Sequence, residues 1–109
     1  MYKKGTIILV PFPFTDLSGN KVRPAVIVSS SKQGSDIVVV FLSSQTKLKG
    51  KHLISVQPSD VNGLKVDSKI VCGKIATLDT KIVLGELGKL TQQQQTVVDK
   101  NLKSMLGLS

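Results

Sequence analysis

Arginine occurs once among the 109 residues, as Arg23; cysteine once, as Cys72; histidine once, as His52; tryptophan not at all. Each scarcity excludes something. A single thiol closes no internal disulfide, which fits a reducing compartment. Cys72 lies in the apolar run Ile70-Val71-Cys72, so the sequence presents it as a buried, inert thiol rather than a nucleophile. One histidine cannot supply the two imidazoles of an acid–base pair. One cysteine and one histidine are too few N and S ligands for a structural zinc site. The seven acidic residues are scattered, with no cluster of the kind that holds two catalytic metals. No Gly-rich loop ends in Lys-Ser or Lys-Thr, which removes that mode of nucleotide binding. Long apolar runs are missing as well, none nearing the roughly 18 residues of a membrane span. Ile7-Ile8-Leu9-Val10 follows a basic start, but Pro11 and Pro13 interrupt it and no small-residue cleavage site follows. The expectation is a cytoplasmic protein with no membrane segment.

Negative charge is also scarce: 7 Asp and Glu stand against 15 Lys and Arg, a formal charge of +8. That imbalance predicts a polyanionic partner, either nucleic acid or an acidic protein segment. Lysine acts as a point charge, whereas arginine presents a planar fork of donors that matches two oxygens at once. Arg23 is therefore the first residue to ask about.

The length predicts one domain over residues 1–109. Its apolar residues are mostly Val, Ile and Leu, and the β-branched pair favours strands. Strands are expected over residues 6–10, 24–29, 36–42, 52–56, 69–77 and 85–90. The run Val38-Val39-Val40 is too continuous for a surface strand and predicts a central one. Gly73 marks a bend or bulge in the fifth strand. Many short strands with Gly and Pro punctuation suggest a small barrel or sandwich. Thr91-Gln92-Gln93-Gln94 matches a capping box. Val98, Leu102, Met105 and Leu106 then recur at helical spacing, and Gly107 sits where a left-handed cap would. A mainly β fold with one packed C-terminal helix follows.

Two loops carry the chemistry-bearing residues. The first includes Thr15, Asp16 and Lys21, and exceeds a tight hairpin. The second runs from Ser43-Ser44-Gln45 through Lys47, Lys49 and Lys51 to His52. Arginine, hydroxyls and backbone donors suit a phosphodiester that brings its own nucleophile, as RNA does in its 2′-hydroxyl. A guanidinium can hold two phosphoryl oxygens as their charge develops. Ser43 or Ser44 can add a further hydrogen bond. Proton transfer is the open element, because a guanidinium is a poor base. His52 is the chemically natural carrier near neutral pH, and Asp16 can act or simply orient Arg23. A lone histidine opening a strand is more often structural than catalytic, and the residues alone do not decide between these.

The segments Gly5-Thr6-Ile7-Ile8-Leu9-Val10-Pro11-Phe12, Arg23-Pro24-Ala25-Val26-Ile27-Val28-Ser29 and Val39-Val40-Phe41-Leu42-Ser43-Ser44-Gln45 resemble the MazF/PemK toxins of bacterial type II toxin–antitoxin systems. Lys74-Ile75-Ala76-Thr77-Leu78-Asp79 and Gly85-Glu86-Leu87 continue the likeness, which covers nearly the whole chain. The resemblance implies an SH3-like barrel with an appended helix, and a homodimer. It implies metal-free, sequence-specific cleavage of single-stranded RNA, and an antitoxin whose acidic segment blocks the RNA groove. The family's catalytic arginine falls on Arg23. Its partner threonine is replaced here by Ser43, which keeps the hydroxyl and loses the methyl. Gln45 matches the family's amide. The first loop is shorter than in many members and lacks a glutamate, for which Asp16 is the available substitute. The RNA-binding set expected on this basis is Asp16, Lys21, Ser44, Gln45, Lys47, Lys49, Lys51 and Thr77, with Arg23 and Ser43 catalytic and no cofactor or metal. Asp79 is expected to cap a short helix.

Two other functions compete on the same fold. A gyrase poison of the CcdB type acts through a C-terminal tryptophan, and this chain has none. A plain nucleic-acid-binding barrel wants exposed aromatics for stacking. Tyr2, Phe12, Phe14 and Phe41 are the aromatics present, with Phe41 in the expected core strand.

Overall fold

β-Branched runs punctuated by Pro and Gly build six strands, and one capped amphipathic segment builds a helix. The computed structural model describes residues 2–11, 21–29, 34–45 and 47–108. The strands are β1 (Thr6–Pro11), β2 (Val22–Ile27), β3 (Asp36–Ser43), β4 (Leu53–Val56), β5 (Ser68–Asp79) and β6 (Gly85–Lys89). A 3₁₀ turn, Thr80–Ile82, precedes β6, and α1 (Gln92–Leu106) follows it. Asp79 caps the 3₁₀ turn as expected, its side chain accepting from the Lys81 N–H at 2.9 Å. All neighbouring strands are antiparallel, in the order β4-β5-β3-β2-β1-β6. β3 is central, as its Val run predicts, and Val39 and Val40 are 0% exposed.

Both faces of the curled sheet are buried. On one face Ile7, Val26, Val40, Leu42, Ile70 and Cys72 pack with Leu64, Leu90 and Val98. On the other, Ile8, Val10, Ala25, Ile27, Val39, Phe41 and Leu78 pack under Tyr2, Ile82 and Val83. Strict alternation along β1, β2 and β3 assigns these faces. β5 breaks the alternation. Val40 pairs with Ile75 while the next residue, Phe41, pairs with Val71, so Cys72, Gly73 and Lys74 are extra. An odd insertion swaps the faces, and Gly73 lies at its centre. Cys72 faces the first core, where burial pushes its thiol pKa up and keeps it protonated.

The helix docks on the first face. Its capping box is complete: the Gln94 N–H donates to Thr91 Oγ1 at 3.1 Å and the Thr91 N–H to Gln94 Oε1 at 2.9 Å. Such a cap contributes about 1 kcal/mol. Gly107 ends the helix at φ +71°. Val98 is buried and Leu102 packs beside it. Leu106 departs from the expected apolar face, being 54% exposed, because Met105 is the residue turned over Gly73.

The two edge strands are brought together by the segment after β4. The Lys89 N–H on β6 donates to the Val61 carbonyl at 3.0 Å. Asn62, 2% exposed, fixes that segment. Its Oδ1 accepts from the Ser59 and Leu64 N–H groups at 3.0 and 2.9 Å, and its Nδ2 donates to the Gln57 carbonyl at 2.8 Å. No described helix is long and apolar enough to cross a membrane.

Candidate active site

Strand register aligns a row of side chains at one end of the sheet. Val10 pairs with Arg23, Ser43 with Lys69, and Lys69 with Ser55. The β2–β3 ladder runs Ile27↔Val39, Val26↔Val40, Ala25↔Phe41. Continued two residues past its last pair, the same register would set Arg23 level with Ser43. Pro24 has no N–H to give, and the β2–β3 ladder stops beside it. The side-chain period of two puts Arg23, Ser43, Lys69 and Ser55 on one face. Arginine and hydroxyl, 20 residues apart in sequence, are thus brought to the same end of neighbouring strands.

Ser43 is half-buried, and its Oγ accepts from the Gln45 N–H at 3.2 Å. A hydroxyl that accepts there keeps its own proton for donation elsewhere. Ser44 and Gln45 are exposed beyond it. Lys47, Lys49 and Lys51 are exposed on the following loop, and Lys21 is exposed just before β2. The half-buried Lys69 donates from Nζ to the Leu48 carbonyl at 2.7 Å, which ties that loop to the sheet.

Two clefts open at this end. One, about 420 Å³, is walled by Arg23, Pro24, Leu42, Ser44, Leu64 and Val66, with Lys65 also lining it. The other, about 250 Å³, is walled by Ser43, Gln45, Ser55, Gln57, Asp67 and Lys69. Ser68 contributes to both. The first is largely apolar beside the arginine; the second is polar beside the serine. Asp67 is the carboxylate among the described residues that lines either one.

Two sequence candidates, His52 and Thr77, stand apart from this row, and a third lies outside the described residues. His52 lies three residues from Ser55, about 10 Å along the strand. It adopts φ +63°, its ring contacts Asn101 Oδ1 of α1 at 3.3 Å, and its carbonyl accepts from the Cys72 N–H at 3.1 Å. Those contacts give it a fastening role between loop, helix and β5. Thr77 pairs with Val38, five residues from Ser43 on β3, or about 17 Å away. Asp16 lies outside the described residues. Sequence reading did not single out Lys69, Lys65, Ser55 or Gln57. Only the pairing of β3 with β5 and β5 with β4 puts Lys69 and Ser55 beside Ser43.

Chemically, the row offers a planar cation and a hydroxyl donor side by side, with lysines around them. It suits an oxyanion such as a phosphoryl group. Among the described residues no three His, Cys, Asp or Glu side chains gather to hold a metal ion.

Known proteins share the fold of this chain. The family model described as PemK-like, MazF-like toxin of type II toxin-antitoxin system matches residues 3–106. An endoribonuclease in complex with its cognate antitoxin, from a mycobacterial species, superimposes with a TM-score of 0.78. The two chains are 24% identical, over 100% of this chain and 98% of that one. MazE-MazF from Deinococcus radiodurans gives a TM-score of 0.75 at 17% identity, covering 99% of this chain and 97% of that one. The Mycobacterium tuberculosis toxin MazF-mt6 gives 0.75 at 17%, covering 95% and 98%. At such identities the superpositions establish the fold. No curated protein matches the chain in sequence.

Proposed function

The chain belongs to the PemK-like, MazF-like toxin family of type II toxin–antitoxin systems, and on that premise we propose that it is a metal-independent, sequence-specific endoribonuclease acting on single-stranded RNA in the cytoplasm. The observation that supports the reading is the β2–β3 register, whose continuation past Ala25 and Phe41 would bring Arg23 level with Ser43. The substrate 2′-hydroxyl gives its proton to solvent water as its oxygen attacks the adjacent phosphorus, the P–O5′ bond breaks, the leaving 5′-oxygen takes a proton from water, and a 2′,3′-cyclic phosphate forms. Arg23 holds the phosphoryl oxygens as their charge grows, and Ser43 donates its free proton to one of them. Lys21, Lys47, Lys49 and Lys51 meet flanking phosphates, and Ser44 and Gln45 line the path of the strand. DNA lacks the internal nucleophile and is not cut.

The partners follow from charge and kinship. A surface of formal charge +8 attracts an acidic antitoxin segment that occupies the RNA path. A similar fold is seen with its cognate antitoxin in the mycobacterial endoribonuclease. The working form is a homodimer, in which two copies double the attraction for RNA.

Two results are expected of the purified protein. Single-stranded RNA is cut undiminished in excess EDTA, leaving a 2′,3′-cyclic phosphate. Loss of cutting on chelation, or a 3′-hydroxyl end, would overturn the reading. His52→Ala, which removes the ring bonded to Asn101, keeps cleavage within about threefold of the wild type, since surface-layer polar contacts of this kind contribute about 1 kcal/mol to stability and none to the row. A collapse of activity in a folded His52→Ala protein would make that ring the proton carrier.

A further inference from the structure

Lys69 closes a ring of bonds around the Ser43 hydroxyl. Ser43 Oγ accepts from the Gln45 N–H at 3.2 Å. The Gln45 carbonyl accepts from the Leu48 N–H at 3.3 Å. The Leu48 carbonyl accepts from Lys69 Nζ at 2.7 Å. Lys69 is itself paired with Ser43 across the β3–β5 ladder. The first two bonds are long, while the Lys69 bond is short and charge-assisted, a class roughly twice as strong as neutral ones. Its two residues are half-buried, so water screens it less than an exposed contact. Gln45, Lys47 and Lys49 are exposed. Of these three bonds the Lys69 tether is the strongest, and it acts on where the Gln45 N–H points.

We propose that Lys69 is a positioning residue for the Ser43 hydroxyl: its bond to the Leu48 carbonyl holds Leu48 against Gln45, and the Gln45 N–H holds the serine hydroxyl with its proton toward the substrate. The inference rests on the ribonuclease reading for its effect on rate, and on the free protein for its effect on the loop. Lys69 works through Ser43, so its influence falls on kcat more than on KM. An arginine at this place can still donate to the carbonyl; a methionine keeps the stem and donates nothing.

The test combines a double-mutant cycle with amide exchange. Lys69→Met is expected to lower kcat about tenfold, a coupling within the usual range for linked neighbours. Lys69→Arg restores most of that loss. In a Ser43→Ala background, Lys69→Met adds less than a further twofold. A full tenfold loss in that background would mean that Lys69 acts by touching RNA itself, and would overturn the proposal. Hydrogen exchange of the Gln45 and Leu48 amides, measured without RNA, is expected to quicken in Lys69→Met and to stay near wild type in Lys69→Arg. Unchanged protection in Lys69→Met would overturn the tether whatever the activity. If the wild-type protein cuts no RNA, the ribonuclease reading fails, and the exchange result still decides the tether.

Discussion

Arg23→Ala is expected to reduce RNA cleavage at least ~100-fold, the scale of losing one donor aimed at developing charge. The sheet should survive the change. Arg23 is half-buried near the start of β2, and the β2–β3 ladder ends before it. Its strand is held by the Val10 pairing on the other side and by Ala25, Val26 and Ile27, all in the two cores. The loss therefore reads out chemistry and not collapse. Arg23→Lys separates charge from shape. It keeps the cation and loses the fork, so it should recover only part of the activity, remaining roughly tenfold down. Salt separates these variants from those of the loop lysines. Neutralising Lys47, Lys49 or Lys51 frees one phosphate of the RNA, and each such change should flatten the salt dependence of binding by about 0.7 in log–log slope for a single strand. A folded Arg23→Ala protein that cuts RNA at near the wild-type rate would remove Arg23 from the centre of the reaction.

The fold was legible where chemistry is local. Thr91 and Gln94 specify their reciprocal bonds within four residues, and Gly107 specifies the left-handed end of α1. The Val38-Val39-Val40 run announces a strand buried on both faces, and β3 is that strand. Arg23 and Ser43 were legible as candidates because their residue types and neighbours are unusual. Their partnership was legible only through the family resemblance, since the residues alone do not give the register between β2 and β3. Lys69 was wholly hidden. One lysine among fourteen carries no signal of its own, and the swap of faces across Cys72-Gly73-Lys74 cannot be read before the pairing is known. The seam between the edge strands was hidden for a similar reason. Asn62 reads as an ordinary turn residue in sequence, whereas in the fold it is buried and satisfies three backbone groups.

That seam carries the second large expected effect. Gly63 has φ +69° and Gly34 has φ +67°, so both adopt a backbone that side chains disfavour. They differ in what a Cβ would meet. At Gly34 nothing among the described residues lies within 4 Å, while at Gly63 the Leu87 carbonyl oxygen of β6 would be far inside van der Waals distance. Gly34→Ala therefore incurs only the left-handed strain, about 1–2 kcal/mol, or a Tm lower by roughly 5–10 °C for a domain of this size. Gly63→Ala adds a clash with backbone that cannot rotate away. Gly88 opposes it, where a Cβ would strike the Val61 and Asn62 backbone, so the seam cannot simply slide. The strand edge must then move, and with it the Lys89–Val61 bond and the packing of Leu64. The expected cost is at least about 3 kcal/mol, or a Tm lower by roughly 15 °C or more. Calorimetry on both variants checks the difference. Equal losses at Gly63 and Gly34 would show that left-handed strain alone is at work and that the edges are not locked. Gly63 and Leu87 also wall the cleft beside Arg23. Whatever Gly63→Ala protein remains folded should therefore lose RNA cleavage more than its folded fraction accounts for, because the same backbone crossing that joins the sheet edges shapes the wall of the cleft that Arg23 lines.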